Sequence, residues 1–179
     1  MKKTILAFGA STSSTSINQA FATYTASQLD MFHTKVISLL DFEMPLFSVD
    51  VQREEGFPES ATKLQQLIQD ADGIIISLAE HNGAYTAAFK NVFDWLSRLE
   101  GKAWENKPML LLSTSPGGRG GSSVMEIATK RFPFNGGNVI STFSLPGFQK
   151  NFSPESGVLD DALDAGFRLA LKTFIAHFD

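Results

Sequence analysis

The chain has 179 residues, 43% of them hydrophobic and 19% charged, with a formal net charge of −4. That length fits one domain over residues 1–179 with room for a real core, and the mild acidity without any basic stripe argues against nucleic acid as the main partner. Cysteine is absent, which excludes disulfides, thiolate metal sites and a cysteine nucleophile, and His33, His81 and His177 are scattered without metal-ligand spacing.

Residues 4–8 form the first strand candidate, ended by Gly9. A run of hydroxyl side chains follows, Ser11-Thr12-Ser13-Ser14-Thr15-Ser16, with no acidic or basic residue in it. Between a buried strand and a helix N-terminus such a loop is suited to holding a phosphate, because amides, hydroxyls and the helix dipole converge there. A plain Ser/Thr turn that caps the helix reads equally well at this point. The helix starts near Ser16, where Ser16 and Gln19 match the S-x-x-Q capping box, and Ile17, Ala20, Phe21 and Tyr24 form its apolar face. A β-branched strand over 34–39 leads to a long connection over 41–50 that is apolar for a loop, the kind that carries function or an interface. Pro58 opens a second helix with the stripe Ala61, Leu64, Leu67, Ile68 and Ala71.

Asp72-Gly73 ends that helix. Residues 74–78 are continuously apolar, as a parallel strand covered on both faces requires. The spacing predicts a helix over 86–99, a central strand over 108–113, and a helix capped by Ser123 and Glu126 that stops near Pro133. A fifth strand over 138–145 and a closing helix over 159–178 complete the chain, the latter with Ala162, Leu163, Phe167, Ala170, Leu171 and Phe174 inward. The alternation calls for an α/β domain with a five-stranded parallel sheet in order 2-1-3-4-5 and helices on both faces. Its ligand crevice lies at the strand carboxyl ends around the switch point, beside the loops after strands 1, 3 and 4. No apolar run nears the roughly 20 residues of a membrane span, and the apolar run after Met1-Lys2-Lys3 is too short for a signal peptide, so the expected location is the cytoplasm. Sixteen phenylalanines against two tyrosines predict a large aromatic core or a self-association face.

In the loop after strand 3, Asn82-Gly83 marks a tight turn whose backbone can lie against a planar ligand. Glu80 and His81 there are assigned no acid–base role, since a loop carboxylate without a partner reads as a solvated charge. The loop after strand 4, residues 115–121, holds four glycines and Arg119, the only cation in the three loops. It permits close backbone approach and offers N–H donors to a ring edge. The G-x-G-x-x-G dinucleotide fingerprint is absent. So are the acidic residues of a phosphoacceptor receiver and the G-x-S-x-G elbow of a hydrolase.

These residues bring out a family resemblance. The chain resembles the NADPH-dependent FMN reductase family, the flavodoxin-like quinone, azo-dye and chromate reductases. Ser11 to Asn18 is similar to the family's S-x-R-x-x-S-x-N phosphate loop. Glu80-His81-Asn82-Gly83-Ala84-Tyr85, with Lys90-Asn91 and Asp94-Trp95, is similar to P-E-Y-N-G-S-Y…K-N…D-W, and Ser115 to Gly121 to S-P-G-G-x-G-G. Met44 to Asp50 resembles its proline-containing loop after strand 2.

The resemblance implies a flavodoxin-like three-layer sandwich that binds FMN. Ser11, Ser13, Ser16 and Asn18, with Ile17, would hold the phosphate. Glu80, His81, Asn82 and Gly83 would flank one side of the ring, and Ser115, Gly117, Gly118 and Arg119 the other. It also implies NADPH or NADH as hydride donor to flavin N5, a small-molecule electron acceptor, and a homodimer or dimer of dimers with cofactors near the interface. No catalytic side chain is obligatory. Three positions depart from the family pattern: Ser13 replaces its arginine, Ala79 its proline and His81 its tyrosine. The first predicts weaker FMN binding than in relatives that keep the arginine. An FMN-binding electron carrier or flavin-storage module without nicotinamide turnover is the alternative function.

Overall fold

The computed structural model describes residues 2–178. Its central sheet runs β2 (His33–Val36), β1 (Thr4–Gly9), β3 (Gly73–Leu78), β6 (Pro108–Thr114) and β7 (Asn138–Leu145), with every pairing parallel. This is the expected 2-1-3-4-5 order; the last two strands carry the numbers 6 and 7 because a small hairpin, β4 (Glu80–His81) and β5 (Ala84–Tyr85), follows β3.

Period-two alternation divides the core cleanly between two faces. Leu6, Phe8, Ile74, Ile76, Met109 and Leu111 face α3 (Glu59–Asp70), α4 (Ala87–Leu96) and α5 (Ser122–Arg131). Ile5, Ala7, Ile75, Leu110 and Leu112 face α1 (Ile17–Ser27) and α7 (Asp161–Ile175). Because β3 and β6 are covered on both sides, they tolerate no polar interruption along their middles, and Ile74, Ile75, Ile76 and Met109 to Leu112 are all fully buried. The phenylalanines mostly serve this core. Phe89, Phe93, Phe132 and Trp104 pack together on one face, and Phe21, Phe143, Phe152 and Phe167 on the other.

Several boundaries differ from the sequence reading. Strand β2 ends at Val36, because Ser38 caps a 3₁₀ turn over Leu39–Asp41. The connection expected as a loop contains a helix, α2 (Val49–Glu55), started by Ser48, whose hydroxyl accepts the Asp50 N–H. Helix α2 buries no residue completely, so it leaves no apolar period to read. Its approach is clamped by α4. Asn91 Oδ1 accepts the Phe47 N–H at 2.7 Å, and the Trp95 indole donates to Pro45 O at 2.8 Å. Helix α4 is shorter than predicted, with Thr86 as its cap and Ser97 beyond its end. Helix α5 is capped at Gly121 rather than at Ser123, and it makes no side-chain cap of its own. Asp160 starts α7 after Leu159, and residues 176–178 tighten to 3₁₀. A short helix, α6 (Phe148–Asn151), and a two-stranded pair, β8 (Phe152–Ser153) with β9 (Gly157–Val158), add a small excursion before α7.

At the opposite end of the sheet Asp72 accepts the Thr4 N–H at 2.8 Å, a bond that holds its carboxyl below the usual range. The folded value is the lower one, so this tie contributes at neutral pH and is lost as pH falls through the folded pKa.

Candidate functional site

The carboxyl ends of β1, β3 and β6 come together, so the three unusual loops meet. At the first, Gly9 lies directly under the opening turn of α1. A Cβ added there would sit 2.4 Å from Gln19 N and 2.8 Å from Asn18 C. Gln19 seals this contact. Its Oε1 accepts the Gly9 N–H at 2.8 Å and its Nε2 donates to Ile37 O at 3.0 Å. The expected capping box is therefore only half formed. Ser16 Oγ accepts the Gln19 N–H at 3.1 Å, but the Ser16 N–H goes to Ser13 O. The strand-to-helix packing has taken the Gln19 side chain.

The loop hydroxyls partly organise one another. Ser11 Oγ accepts the Ser13 N–H at 3.1 Å, and Ser13 Oγ accepts the Thr15 N–H at 3.3 Å. Ile17 and Asn18 are the first two helical residues of α1, where amides have no acceptor within the helix. The Asn18 side chain itself is 3% exposed and turned inward. Its Oδ1 accepts from Ser77 Oγ at 2.8 Å and from the Thr114 N–H at 3.0 Å, while Nδ2 donates to Thr114 O. Asn18 thus ties α1 to the ends of β3 and β6, leaving its backbone amide and one Nδ2 hydrogen for a ligand.

In the second loop Asn82 and Gly83 both have positive φ, 52° and 76°, the pattern of a type I′ hairpin turn. Tyr85 roots this hairpin in the core, its ring 5.4 Å from Phe89 and stacked on Phe132. Burial pushes the Tyr85 phenol up to about 12, so it stays neutral. Glu80 is not the solvated charge that the sequence suggested. Its side chain is 14% exposed, Oε2 accepts the Val124 N–H of α5 at 3.0 Å, and Oε1 lies 3.9 Å from the Arg119 guanidinium.

In the third loop the four glycines divide into two kinds. Gly120 and Gly121 have φ of 57° and 80°, and a Cβ on them would meet Leu145 backbone at 2.7 Å and Ser113 Cβ at 3.0 Å. The fold needs them. Gly117 and Gly118 lack positive φ, and a Cβ there would meet only Ser115 Oγ at 3.9 Å, or nothing within 4 Å. Nothing inside the chain requires glycine at these two positions, and both are exposed.

A cavity of about 210 Å³ joins the loops. Of the site residues read from the sequence, Ser11, Ser13, Ser16, Ile17, Asn18, Glu80, His81 and Ser115 line it. Asn82, Gly83, Gly117, Gly118 and Arg119 lie outside that lining, on the continuing hairpin and glycine-rich turn. Thr15, Ala79, Thr114 and Pro116 also line it. Thr15 belongs to the hydroxyl run, Ala79 to the position where the family has proline and Pro116 to the glycine-rich motif, so only Thr114 had no signal beyond its place next to Ser115. The lining contains no lysine or arginine. Two larger recesses, of about 590 and 450 Å³, flank the site and share Thr15, Ser16 and Ile17, or Thr12, with the first loop; neither brings the three loops together.

Comparison with known proteins identifies the family and the fold. A family model described as NADPH-dependent FMN reductase matches residues 3–150. A quinone reductase of Escherichia coli K12 is 41% identical over 80 residues, which is 45% of this chain and 43% of that protein. An NADPH azoreductase of a Bacillus species is 30% identical over 131 residues, 73% of this chain and 64% of that protein. The match thus spans under half the length of the quinone reductase. Among solved structures, the flavoenzyme NAD(P)H:(acceptor) oxidoreductase FerB of Paracoccus denitrificans superposes with a TM-score of 0.75 over 98% of this chain and 96% of that one, at 20% identity. At that identity it supports the fold.

Proposed function

The chain belongs to the NADPH-dependent FMN reductase family, and from that premise we propose that it is an NAD(P)H-dependent FMN oxidoreductase serving a small-molecule acceptor of the quinone, azo, metal-ion or free-flavin class. The observation that carries this reading is the pair Gly117–Gly118, bare backbone that the fold itself does not demand, on the turn that continues from Ser115 and Pro116 at the edge of the hydroxyl-lined 210 Å³ cavity. Side chains on those two residues would fill the space a flat ring needs.

FMN, when bound, supplies a ring that takes hydride from a nicotinamide and returns electrons to an acceptor. The chain's own groups bind and orient. The hydroxyls of Ser11, Ser13 and Ser16, with the amides of Ile17 and Asn18, face the phosphate at the positive end of the α1 dipole. The Asn82-Gly83 turn and the Ser115–Gly118 backbone border the ring, and His81 stands at the hairpin tip. Arg119, with its side chain 75% exposed and only loosely paired to Glu80, is free to meet a nucleotide phosphate. None of these residues needs to transfer a proton.

The acceptor is set by the open side of the site. There Leu40 lines the 450 Å³ recess beside Thr12, and Leu46, Val49 and Phe57 follow it along the chain, all four 41–81% exposed. Four exposed large apolar side chains along residues 40–57 support a homodimer that closes over this side, alone or paired into a dimer of dimers. Steady-state NADPH oxidation with FMN and a quinone tests the reading. Turnover supports the enzyme, and its absence from a flavin-loaded protein favours the electron carrier.

Without a cation in the lining, the phosphate dianion is held by neutral donors alone. Ser13→Arg should therefore tighten FMN binding by roughly tenfold through a charge-assisted bond, and should make that binding weaken with added salt. Fluorescence quenching of FMN by the apo-protein at two ionic strengths measures both effects. Equal affinities would remove the charge argument.

A further inference from the structure

We propose that Glu80 is a positioning residue. It latches the hairpin after β3 to the first turn of α5 and so fixes the glycine-rich loop against which the flavin lies. This rests on the FMN reading above, and it assigns Glu80 a role in holding the site's shape, not in contacting the ring or moving a proton.

Helix α5 has no side-chain cap of its own. A helix leaves its first amides without acceptors, and a Ser, Thr, Asp or Asn at the N-cap commonly accepts the N–H of the third helical residue. Helix α5 has Gly121 at that position, held at φ 80° and only 3.0 Å from Ser113 once a Cβ is added. No side chain fits there, so α5 cannot cap itself. Val124 is its third residue, and its N–H is met at 3.0 Å by Glu80, which lies 44 positions earlier in the chain. A carboxylate at this spot also faces the positive end of the α5 dipole, and Arg119 stands 3.9 Å from its other oxygen.

The latch adds a polar tie at the start of α5 to the hairpin, which already meets the end of that helix where Tyr85 stacks on Phe132. On one side Glu80 pairs with Tyr85 across the hairpin, and Tyr85 is packed into the aromatic core. On the other, α5 begins directly after the turn that carries Gly117 and Gly118. The backbone of that turn has only two links of its own to the next strand's loop, Gly147 N–H to Gly117 O and Phe148 N–H to Ser115 O. Glu80 therefore sets the distance between the hairpin and the glycine-rich turn, which together would border the ring.

The test compares Glu80→Ala and Glu80→Gln in the 179-residue chain. The glutamine keeps an amide oxygen that can accept the Val124 N–H. Hydrogen exchange at the Val124 amide in the apo-protein reads the latch, and FMN affinity reads its consequence. In Glu80→Ala the amide should exchange about tenfold faster and FMN should bind about tenfold more weakly, with Glu80→Gln restoring most of both. Weaker FMN binding in Glu80→Ala with unaltered Val124 exchange would mean direct contact with the ligand and would overturn the proposal. So would an equal loss of kcat in both variants while Glu80→Gln keeps the amide protected, since that is the mark of a proton-transfer role. A wild-type chain that binds no FMN overturns the functional reading and the flavin part of this one, while the exchange comparison still decides the latch.

Discussion

Gly9→Ala should lower the melting temperature by about 10 °C and take the candidate site with it. The added methyl group would lie 2.4 Å from Gln19 N, 2.6 Å from Gln19 Cα and 2.8 Å from Asn18 C. All three atoms are backbone, so no rotamer change relieves the contact. Forcing an extra methyl into a packed junction costs about 1–3 kcal/mol, and rigid helix backbone on the far side places this case near 3. For a domain of this size each kcal/mol corresponds to about 2–4 °C. The damage spreads because α1 must move away from β1. The Gly9 N–H to Gln19 bond then opens, and Asn18 is drawn away from Ser77 and Thr114. Thermal unfolding followed by circular dichroism measures the shift, and a melting temperature within about a degree of wild type would contradict the packing account.

Gly118→Val should do the reverse, leaving the fold intact while removing the ligand. Gly118 has no positive φ, and a Cβ there meets nothing within 4 Å, so the stability change should stay within about 0.5 kcal/mol. Branched methyl groups would instead stand in the space proposed for the ring. A steric cost of about 1–3 kcal/mol at that surface is a loss of roughly fivefold to 150-fold in FMN affinity. Melting of the apo-protein and FMN titration belong in the same experiment. Unchanged affinity would mean that the ring does not lie on this turn.

The contrast between these glycines also shows what could be read from the chain alone. Strands β3 and β6 were legible because burial on both faces demands unbroken apolar runs, and sheet order followed from the alternation of elements. The Asn82-Gly83 turn was legible because few other residue pairs accept two positive φ values. Helix α2 was hidden by its lack of any fully buried residue, and the β8–β9 pair by strands of only two residues. In the site, the loops were found but some side-chain roles were not. Glu80 looked solvated because its partner Val124 is 44 residues away. Gln19 looked like a capping-box residue until the close approach of Gly9 gave its amide a different acceptor and donor. Asn18 carries both kinds of information. Its motif position marks the phosphate loop, yet its side chain mainly ties α1 to the ends of two strands, β3 and β6. Local signals found the loops; only the fold could say which side chains face a ligand and which face the protein.

The central claim is that this chain binds FMN where the three loops meet. Titrating the purified apo-protein with FMN and following the visible absorption and fluorescence of the flavin tests it most directly. Saturable one-to-one binding with quenched flavin fluorescence is expected, weakened by Gly118→Val and strengthened by Ser13→Arg. A flavin spectrum that stays that of free FMN throughout the titration would contradict it.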